Sequence, residues 1–270
     1  MTVTLVSNEK IAETSSKGNQ EKWYEKGRWY KLDQFGYEAL SETFTSMLLA
    51  RSNIEQDTPF RFTRYRMERL HVHGHDRTGC SSESFLCPGQ SIVTLSHLFG
   101  KCLGHSLKEE LGRLSSDKKR IAYLAEETAA MTGLTEFPKY LTLLFEIDAL
   151  VLNDDRHLNN IAVIEEDGQY DYCPIFDQGA GLLSNVHLLP MDIIPAALIR
   201  QLRVRPFRTT FNRQLHTARG LYGKQLRLPR FTRDELIEEL QPLLEYYALR
   251  DRGLITDRVC ETILLRQKEL

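Results

Sequence analysis

The alternation of apolar and polar positions divides the chain into a mixed first part and a mainly helical remainder. Strand-like patterns lie at 23–32 and 60–65, and helical patterns lie at 37–50, 106–132, 138–152, 189–204, 232–249 and 256–270. The patterns therefore predict an α+β protein, with a small mixed N-lobe over residues 1–95 and a mainly helical C-lobe over residues 96–270.

A polar loop stands between the predicted helix at 138–152 and a predicted hairpin. It reads Asn-Asp-Asp-Arg-His-Leu-Asn-Asn over residues 153–160, and Ile-Ala-Val-Ile then begins a short strand. An Asp-Gly turn at 167–168 leads into a second extended run that ends before Asp177. Asp and Asn are also common in ordinary turns, because their side chains bond the local backbone, so a purely structural loop is the alternative.

The spacing of three side chains in this region matches metal-dependent phosphoryl transfer. Asp155 and Asn160 stand five residues apart, and Asp177 follows seventeen residues later. Such chemistry uses one carboxylate to accept the proton of the acceptor hydroxyl, and a carboxamide and a second carboxylate to hold the metal. Protein kinases use the same Asp-x-x-x-x-Asn spacing, followed by a metal-binding Asp. We therefore expect a bilobal protein-kinase-like fold with ATP between the lobes.

The first lobe contains candidates for binding the nucleotide phosphates. Residues 15–22 (Ser-Ser-Lys-Gly-Asn-Gln-Glu-Lys) form a polar loop before a strand, where glycine and backbone amides suit an anion, although most such loops are only turns. Lys31 lies in a strand and is a candidate ligand of the α- and β-phosphates; a solvated strand position is the alternative. Glu38 and Glu42 lie one turn apart on the next helix, and Glu42, nearer its middle, is favoured to pair with Lys31.

A Pro-Gly pair at 88–89 is typical of a hinge between lobes. In that interpretation the backbone groups of Leu86 and Cys87 bond the adenine edge. An ordinary strand-to-turn junction explains the pattern equally well.

Composition restricts the class of protein. The chain has 270 residues, 27% of them charged, and a net charge of −2, so the whole molecule has no general attraction for nucleic acid or anionic lipid. It has no apolar run of about 20 residues that would suit a membrane helix, and its start does not resemble a signal peptide. Five scattered cysteines indicate reduced thiols in a cytoplasmic protein. Zinc at His71, His73 and His75 with Cys80 and Cys87 is an alternative, although the spacing fits none of the usual zinc patterns.

Positive charge is concentrated in one segment of the helical part. Residues 200–233 contain nine Arg and one Lys with no Asp or Glu, and Phe207, Phe211, Tyr222 and Phe231 are interleaved. This basic segment predicts a surface that binds nucleic acid or an acidic protein partner. The alternative is a structural surface paired with acidic residues such as Glu235, Glu238 and Glu239.

Taken together, the motifs resemble those of the HipA-like serine/threonine kinases, the toxin kinases of bacterial toxin–antitoxin systems and their stand-alone relatives. Gly18-Asn19-Gln20-Glu21-Lys22 is similar to the Gly-x-Gln-x-Lys phosphate loop of that family. Asp155-Arg156-His157-Leu158-Asn159-Asn160 is similar to its Asp-x-His-x-x-Asn catalytic loop, and Pro174-Ile175-Phe176-Asp177 to its metal motif. The three motifs occur in the family's order, over roughly residues 15 to 180.

The resemblance implies a role for each matching residue and an ATP- and Mg²⁺-dependent transfer to Ser or Thr of a protein substrate. The implied roles are catalytic base for Asp155, magnesium ligands for Asn160 and Asp177, and ATP binding for Lys31, Gly18, Asn19 and Gln20. Ser15 and Ser16 become candidate autophosphorylation sites, where about two added negative charges would occupy the place of the nucleotide phosphates. His157 is expected to brace the loop by bonding backbone carbonyls, with direct proton transfer as the alternative.

Two departures from the family pattern keep other interpretations open. The chain begins close to the phosphate loop, so we expect the extra N-terminal subdomain of longer members to be absent, which leaves an antitoxin partner in doubt. Asp177-Gln178-Gly179 resembles Asp-Phe-Gly, and Asp-Arg-His-x-x-Asn followed by Asp-x-Gly is the arrangement of phosphoinositide kinases. A lipid or small-molecule acceptor, or a non-catalytic pseudokinase that binds partners through the basic segment, are the alternatives. No membrane association is expected.

Overall fold

The computed structural model describes residues 3–5, 20–104 and 106–270. A five-stranded sheet has the order β1-β4-β5-β3-β2, and all its neighbouring strands are antiparallel except the pair β1 and β4. Its strands are β1 (Val3–Leu5), β2 (Lys22–Glu25), β3 (Arg28–Leu32), β4 (Arg66–Val72) and β5 (His75–Glu83). Helix α1 (Glu38–Ala50) packs against this sheet, and the one-turn α2 (Ile54–Asp57) follows it.

A second sheet belongs to the other half of the molecule. Strands β6 (Ser91–Thr94), β7 (Ala162–Glu166) and β8 (Gln169–Tyr172) pair antiparallel in that order. The accompanying helices are α3 (Leu95–Leu103), α4 (Leu107–Arg113), α5 (Asp117–Thr132), α6 (Phe137–Val151), α7 (Pro195–Gln201), α8 (Phe211–Tyr222), α9 (Arg233–Leu244) and α10 (Leu249–Arg266). The proposed lobe boundary at residue 95 stays a prediction, and β6, just before it, bonds to β7 rather than to the five-stranded sheet.

Helix α6 is the centre of the helical half. Every residue from Tyr140 to Val151 is buried, because apolar side chains lie on all faces of this helix and α5, α8 and α10 pack around it. Two acidic residues are buried with them: Glu146 pairs with Arg219, and Asp148 pairs with Arg156. The second pair joins α6 to the polar loop that follows it, so the candidate site packs directly against the core.

The two halves are joined by specific polar contacts as well as by chain connections. The Tyr247 hydroxyl, between α9 and α10, donates to the Asp33 carboxylate at the end of β3 at 2.7 Å. The Tyr246 carbonyl accepts from Arg69 at 3.0 Å and from Thr78 at 2.8 Å. The arrangement is bilobal, with the five-stranded sheet resting on the α9–α10 turn.

The strand predicted at 60–65 is wrong. This segment forms a single parallel bridge between Phe62 and Ile175, with Thr63 N–H donating to Ile175 C=O at 2.8 Å. Its apolar side chains are nevertheless buried. The alternation therefore indicated burial correctly, although the segment does not pair as a strand. The strands lie immediately afterwards in β4 and β5, whose many charged residues hide the pattern.

Two predicted helices are shorter than their apolar pattern. The helix predicted at 106–132 is two helices, since Ser116 accepts the N–H of Lys119 and caps the start of α5. The helix predicted at 189–204 is reduced to α7, because Pro195 occupies its first turn and the preceding residue is extended. Within the described residues, no helix is both long and apolar enough to cross a membrane.

Candidate phosphotransfer site

Lys31 lies at the centre of the candidate site. Its ammonium contacts Glu42 of α1 on one side and lies 2.7 Å from the Asp177 carboxylate on the other. Glu42 is fully buried, and the Lys31 side chain is only 13% exposed. A strand lysine, a helix glutamate and the aspartate that follows β8 are thus joined through one cation.

Burial and charge act against each other on these groups. Burial alone would raise the pKa of Asp177, but the charges of Lys31 and Arg156 hold that pKa below its usual range. Burial would likewise lower the pKa of Lys31, yet Asp177 and Glu42 hold it well above its ordinary value. Asp177 is therefore a carboxylate at neutral pH, the state in which it can bind a cation.

The two glutamates of α1 have different contacts. Glu42 pairs with Lys31, and its Oε2 accepts the backbone N–H of Gln178 at 2.7 Å. Glu38 instead accepts the N–H groups of residues 34, 35 and 36 ahead of the helix, the nearest at 2.7 Å from Phe35. The helix thus uses Glu38 to organise its own start and presents Glu42 to Lys31.

A buried arginine organises the polar loop. Arg156 has no solvent exposure and binds Asp148 through Nε and Nη2, with the Nη2 contact at 3.0 Å. Its Nη1 donates to the carbonyls of Asn160 at 3.0 Å and Phe176 at 2.8 Å. Since one nitrogen bonds both carbonyls, the loop residue Asn160 and the segment leading into Asp177 lie side by side.

Asparagine side chains complete the frame of the loop. Asn153 donates to Asp148 at 3.0 Å and to the Asp177 carbonyl at 3.1 Å, while its oxygen accepts the Asp155 N–H at 3.3 Å. The Asn160 amide nitrogen donates to the Asp155 carbonyl at 3.3 Å. The oxygen of Asn160 is therefore the atom that its carboxamide can offer to a metal.

His157 bonds a backbone N–H of the loop, where bonds to backbone carbonyls were expected, and its bracing role stays a prediction. Its Nδ1 accepts the N–H of Asn159 at 3.2 Å, and its Nε2 lies 4.0 Å from Asp155 Oδ2. The bonds to backbone carbonyls that were expected of His157 are made by its neighbour Arg156. Asp155 itself is 46% exposed, and its Oδ1 lies 2.5 Å from Arg205 of the basic segment.

The candidates for nucleotide binding outside this centre differ in their placement. Ser15, Ser16, Gly18 and Asn19 lie outside the described residues. Gln20 donates its amide to the Leu32 carbonyl at 2.7 Å, which joins the residues before β2 to the end of β3, and its role in phosphate binding stays a prediction.

The proposed hinge joins the two sheets between β5 and β6. The Cys87 N–H donates to Gln90 Oε1 at 3.0 Å, and the Cys87 carbonyl accepts the Gln90 N–H at 3.1 Å. Leu86 and Phe176, which directly precedes Asp177, pack against the same buried cluster, so the segment borders the site. Adenine would have to replace the Gln90 bonds in order to use Cys87.

The segment that follows Asp177 is held by buried side chains. Arg258 of α10 is 3% exposed and donates to the carbonyls of Leu183 at 3.3 Å and Leu189 at 2.7 Å, and also binds those of residues 190 and 193. The Tyr37 hydroxyl donates to the Leu182 carbonyl at 2.7 Å. Buried side chains from α10 and from the residue before α1 therefore hold this segment in place.

Five arginines of the basic segment form ion pairs, and none of their partners is Glu235, Glu238 or Glu239. The pairs are Arg205 with Asp155, Arg213 with Asp117, Arg219 with Glu146, Arg227 with Asp57 and Arg233 with Asp257. Of the expected partners, Glu235 and Glu239 lie beside Arg51 instead. The structural interpretation accounts for this part of the charge, although with other partners.

Two of the three histidines of the zinc alternative are also paired with carboxylates. His71 lies 2.7 Å from Asp76 across the β4–β5 ladder, and His73 lies 3.0 Å from Glu21. Throughout the described ranges, no group of three or more His, Cys, Asp or Glu residues is arranged to hold a metal. A kinase-type magnesium site needs no such group, because the nucleotide supplies further oxygen ligands.

No protein-family model matches the chain, and no curated protein matches it in sequence. Solved structures do match it. The proinflammatory kinase CtkA of Helicobacter pylori aligns with a TM-score of 0.55 over 96% of this chain and 90% of its own, at 12% identity. HipA of Shewanella oneidensis MR-1, solved in a toxin–antitoxin complex with HipB and operator DNA, aligns with a TM-score of 0.50 over 97% of this chain, at 14% identity. The fold is that of the HipA-like kinases.

The bilobal kinase-like fold predicted from the sequence is thus confirmed. The chain spans 65% of the length of the matched HipA chain. At these identities the HipA-like fold is what is shared, and the roles of individual residues rest on the geometry described above.

Several residues of the site were not identified from the sequence. They are Asp148, Asn153, Arg156, Arg205 and Arg258. Asp148 carried a usable signal, because a carboxylate inside an otherwise apolar helix requires a buried partner. Arg205 and Arg258 carried none, since each acts on a segment distant in sequence.

Proposed function

We propose that this protein is an ATP- and Mg²⁺-dependent serine/threonine protein kinase. The observation that carries the proposal is the Lys31 ammonium held between Glu42 and Asp177, with Asn160 fixed beside the Asp177 segment by Arg156. Fold similarity to CtkA and HipA, each described as a kinase or toxin, supports it.

The residues present fit a magnesium ion. Asp177 offers a carboxylate that is ionised at neutral pH, and Asn160 offers an amide oxygen, which are the hard ligands that Mg²⁺ prefers. The ion, when bound, neutralises charge on the nucleotide phosphates. Lys31 would contact the α- and β-phosphates, while Asp177 and Asn160 would hold the metal.

Asp155 is the proposed base that accepts the proton of the acceptor hydroxyl. The acceptor oxygen forms a bond to the γ-phosphorus while the bond between that phosphorus and the β-phosphate oxygen breaks, releasing ADP. The hydroxyl proton passes to the Asp155 carboxylate, which is exposed enough to meet an incoming side chain. Orientation and charge neutralisation supply most of the rate.

Nucleotide binding gives the first test. Lys31→Met should weaken Mg·ATP binding by about tenfold or more in calorimetry, because one charge-assisted bond to phosphate is lost. Lys26→Met is the matched control, since that lysine is 90% exposed and lies in the β2–β3 turn. Equal affinity of Lys31→Met and wild type would contradict the phosphate-binding role.

The acceptor is proposed to be Ser or Thr of a protein, with autophosphorylation at Ser15 or Ser16. Mapping phosphate by mass spectrometry in wild type and in the Ser15→Ala/Ser16→Ala double variant tests this. Label at these serines supports self-inhibition through the phosphate loop. Transfer only to phosphoinositides or small molecules would favour the alternative kinase class, and ATP binding without any transfer would favour the pseudokinase.

The proposed partners are an antitoxin-type protein and an acidic protein or nucleic acid. HipA was solved with HipB and DNA, which suggests an antitoxin-type protein for this chain too. Arg200, Arg208 and Arg230 have no carboxylate partner among the described residues and are candidates for an acidic partner or nucleic acid. Fluorescence anisotropy with duplex DNA at two salt concentrations tests the second; affinity that falls steeply with salt supports it, and no binding contradicts it.

A further inference from the structure

One arginine of the basic segment touches the proposed catalytic base. Arg205 Nη1 lies 2.5 Å from Asp155 Oδ1, and the Arg205 backbone N–H donates to the Asp154 carbonyl at 3.2 Å. The residue is therefore bound to the polar loop at two points, through its side chain and through its backbone. Fifty residues of sequence separate the two side chains.

The turn that carries Arg205 is held by contacts to buried residues and to α8. Val204 is fully buried, and its N–H donates to the Thr209 carbonyl at 2.9 Å, closing the turn between α7 and α8. Gln214 of α8 is buried and donates to the Arg205 carbonyl at 3.4 Å. The guanidinium is thus presented by a supported backbone, although its own side chain is 56% exposed.

Other ion pairs of the basic segment serve structural ends. Arg213 binds Asp117 at the start of α5, and Arg219 binds the buried Glu146 of α6. Neither partner belongs to the proposed site. Within the described residues, Arg205 is the member of that segment that contacts a residue to which we assign chemistry.

The guanidinium at this place makes the two oxygens of the base unequal. Oδ1 of Asp155 accepts from Arg205, which leaves Oδ2 as the less engaged oxygen for the acceptor hydroxyl. Arginine stays charged at every accessible pH, so this contact restricts the orientation of the Asp155 carboxylate. Because exposed ion pairs contribute little to stability, the expected effect of this pair is on orientation rather than on folding.

We infer that Arg205 is a positioning residue for phosphotransfer, acting through Asp155. The inference rests on the proposed function. It adds a residue outside the Asp-x-x-x-x-Asn loop to the acceptor side of the site, and it gives one arginine of the basic segment a role other than partner binding.

The test compares Arg205→Ala with Arg213→Ala, an exposed arginine of the same segment that also pairs with an aspartate. Steady-state kinetics are measured with Mg·ATP and dephosphorylated casein as acceptor. Arg205→Ala should lower kcat by about 10- to 100-fold, as loss of orientation does, with KM for ATP within about twofold of wild type. Arg213→Ala should keep wild-type kcat, Arg205→Lys should recover part of the loss, and both alanine variants should melt near the wild-type temperature.

A double variant separates positioning from a general effect of charge. In an Asp155→Asn background, Arg205→Ala should cause no further loss, because the residue acts through that carboxylate. An unchanged or increased kcat in Arg205→Ala, or an equal loss in the Asp155→Asn background, would overturn the inference alone. A wild-type protein that binds ATP but transfers no phosphate would overturn the proposed function, and this role with it.

Discussion

Glu42 accepts the backbone N–H of Gln178 at 2.7 Å, although 136 residues separate the two in sequence. The other oxygen of the same carboxylate contacts Lys31. Since Glu42 is fully buried, moving α1 away from the segment after Asp177 would break both of these charge-assisted contacts. The helix, the strand lysine and the candidate metal ligand therefore form one unit.

Removing the Glu42 charge should lower the free energy of unfolding more than removing a charge at the surface does. Glu42→Gln leaves Lys31 with one carboxylate and should lower the free energy of unfolding by about 3 kcal/mol. Urea denaturation measures the loss. Glu239→Gln, which removes an exposed partner of Arg51, should change that free energy by less than about 0.5 kcal/mol. Equal effects of the two variants would contradict the unit described.

Gly79 allows β5 to pass close to the strand that carries Lys31. A Cβ at this position would lie 2.3 Å from the Lys31 carbonyl oxygen, so Gly79→Ala must push the two strands apart. We expect a loss of about 1–3 kcal/mol in unfolding free energy, together with weaker ATP binding.

Gly220 in α8 is the matched control, because its Cβ would meet no atom within 4 Å. Gly220→Ala should raise the unfolding free energy by about 0.5–1 kcal/mol, the usual gain for a helix position. Urea unfolding and calorimetric titration with Mg·ATP check both variants. Normal stability and affinity in Gly79→Ala would show that the close approach is not needed.

The buried pair of Asp148 and Arg156 should behave as a coupled unit. Asp148→Asn or Arg156→Met alone leaves the other charge buried without its ion-pair partner and should cost about 3–5 kcal/mol in unfolding free energy. The double variant should cost clearly less than the sum of the two single losses. A double-mutant cycle by urea unfolding measures the coupling, and strict additivity would contradict it.

Asp33 should give the protein a pH-dependent stability. Burial, with help from the nearby Glu38, raises the pKa of Asp33 to about 8, while its carboxylate accepts the Ala39 N–H and the Tyr247 hydroxyl. The folded protein therefore keeps a proton that the unfolded chain gives up near pH 4, so this group's contribution to stability falls as the pH rises from about 4 to 8.

Asp33→Asn replaces the titrating carboxyl group with an amide that does not titrate, so this contribution to stability no longer depends on pH. Relative to wild type, the variant should melt at a progressively higher temperature as the pH rises from 5 to 9, by several degrees at the upper end. Thermal unfolding at five pH values checks the trend. A difference in melting temperature that stays constant across the range would contradict the raised pKa.

The sequence predicted those elements of the fold whose apolar pattern lies within one continuous segment. Helix α6 is apolar on every face and was expected at 138–152, and α1 was expected at 37–50. Strands β4 and β5 were not identified, because charged residues interrupt the apolar positions of β4 and the buried run of β5, residues 79–82, consists of small residues. Their pairing depends on partners far along the chain, which a local pattern does not contain.

The candidate site could be predicted to the extent that its residues lie close together in sequence. Asp155, Asn160 and Asp177 were identified from spacing, and the structure brings their segments together through Arg156. The contacts of Arg205 and Arg258 were not predictable, since each depends on the packing of a distant helix or turn. Arg156 stood inside the motif, yet its burial behind α6 appears only in three dimensions.

The most direct test of the account is phosphate transfer from γ-labelled ATP with Mg²⁺ by wild type and Asp155→Ala, measured beside ATP affinity. We predict label on protein serine or threonine in wild type, loss of nearly all of it in Asp155→Ala, and equal ATP affinity in both. Equal labelling of the two proteins, or failure of wild type to bind ATP, would contradict the account.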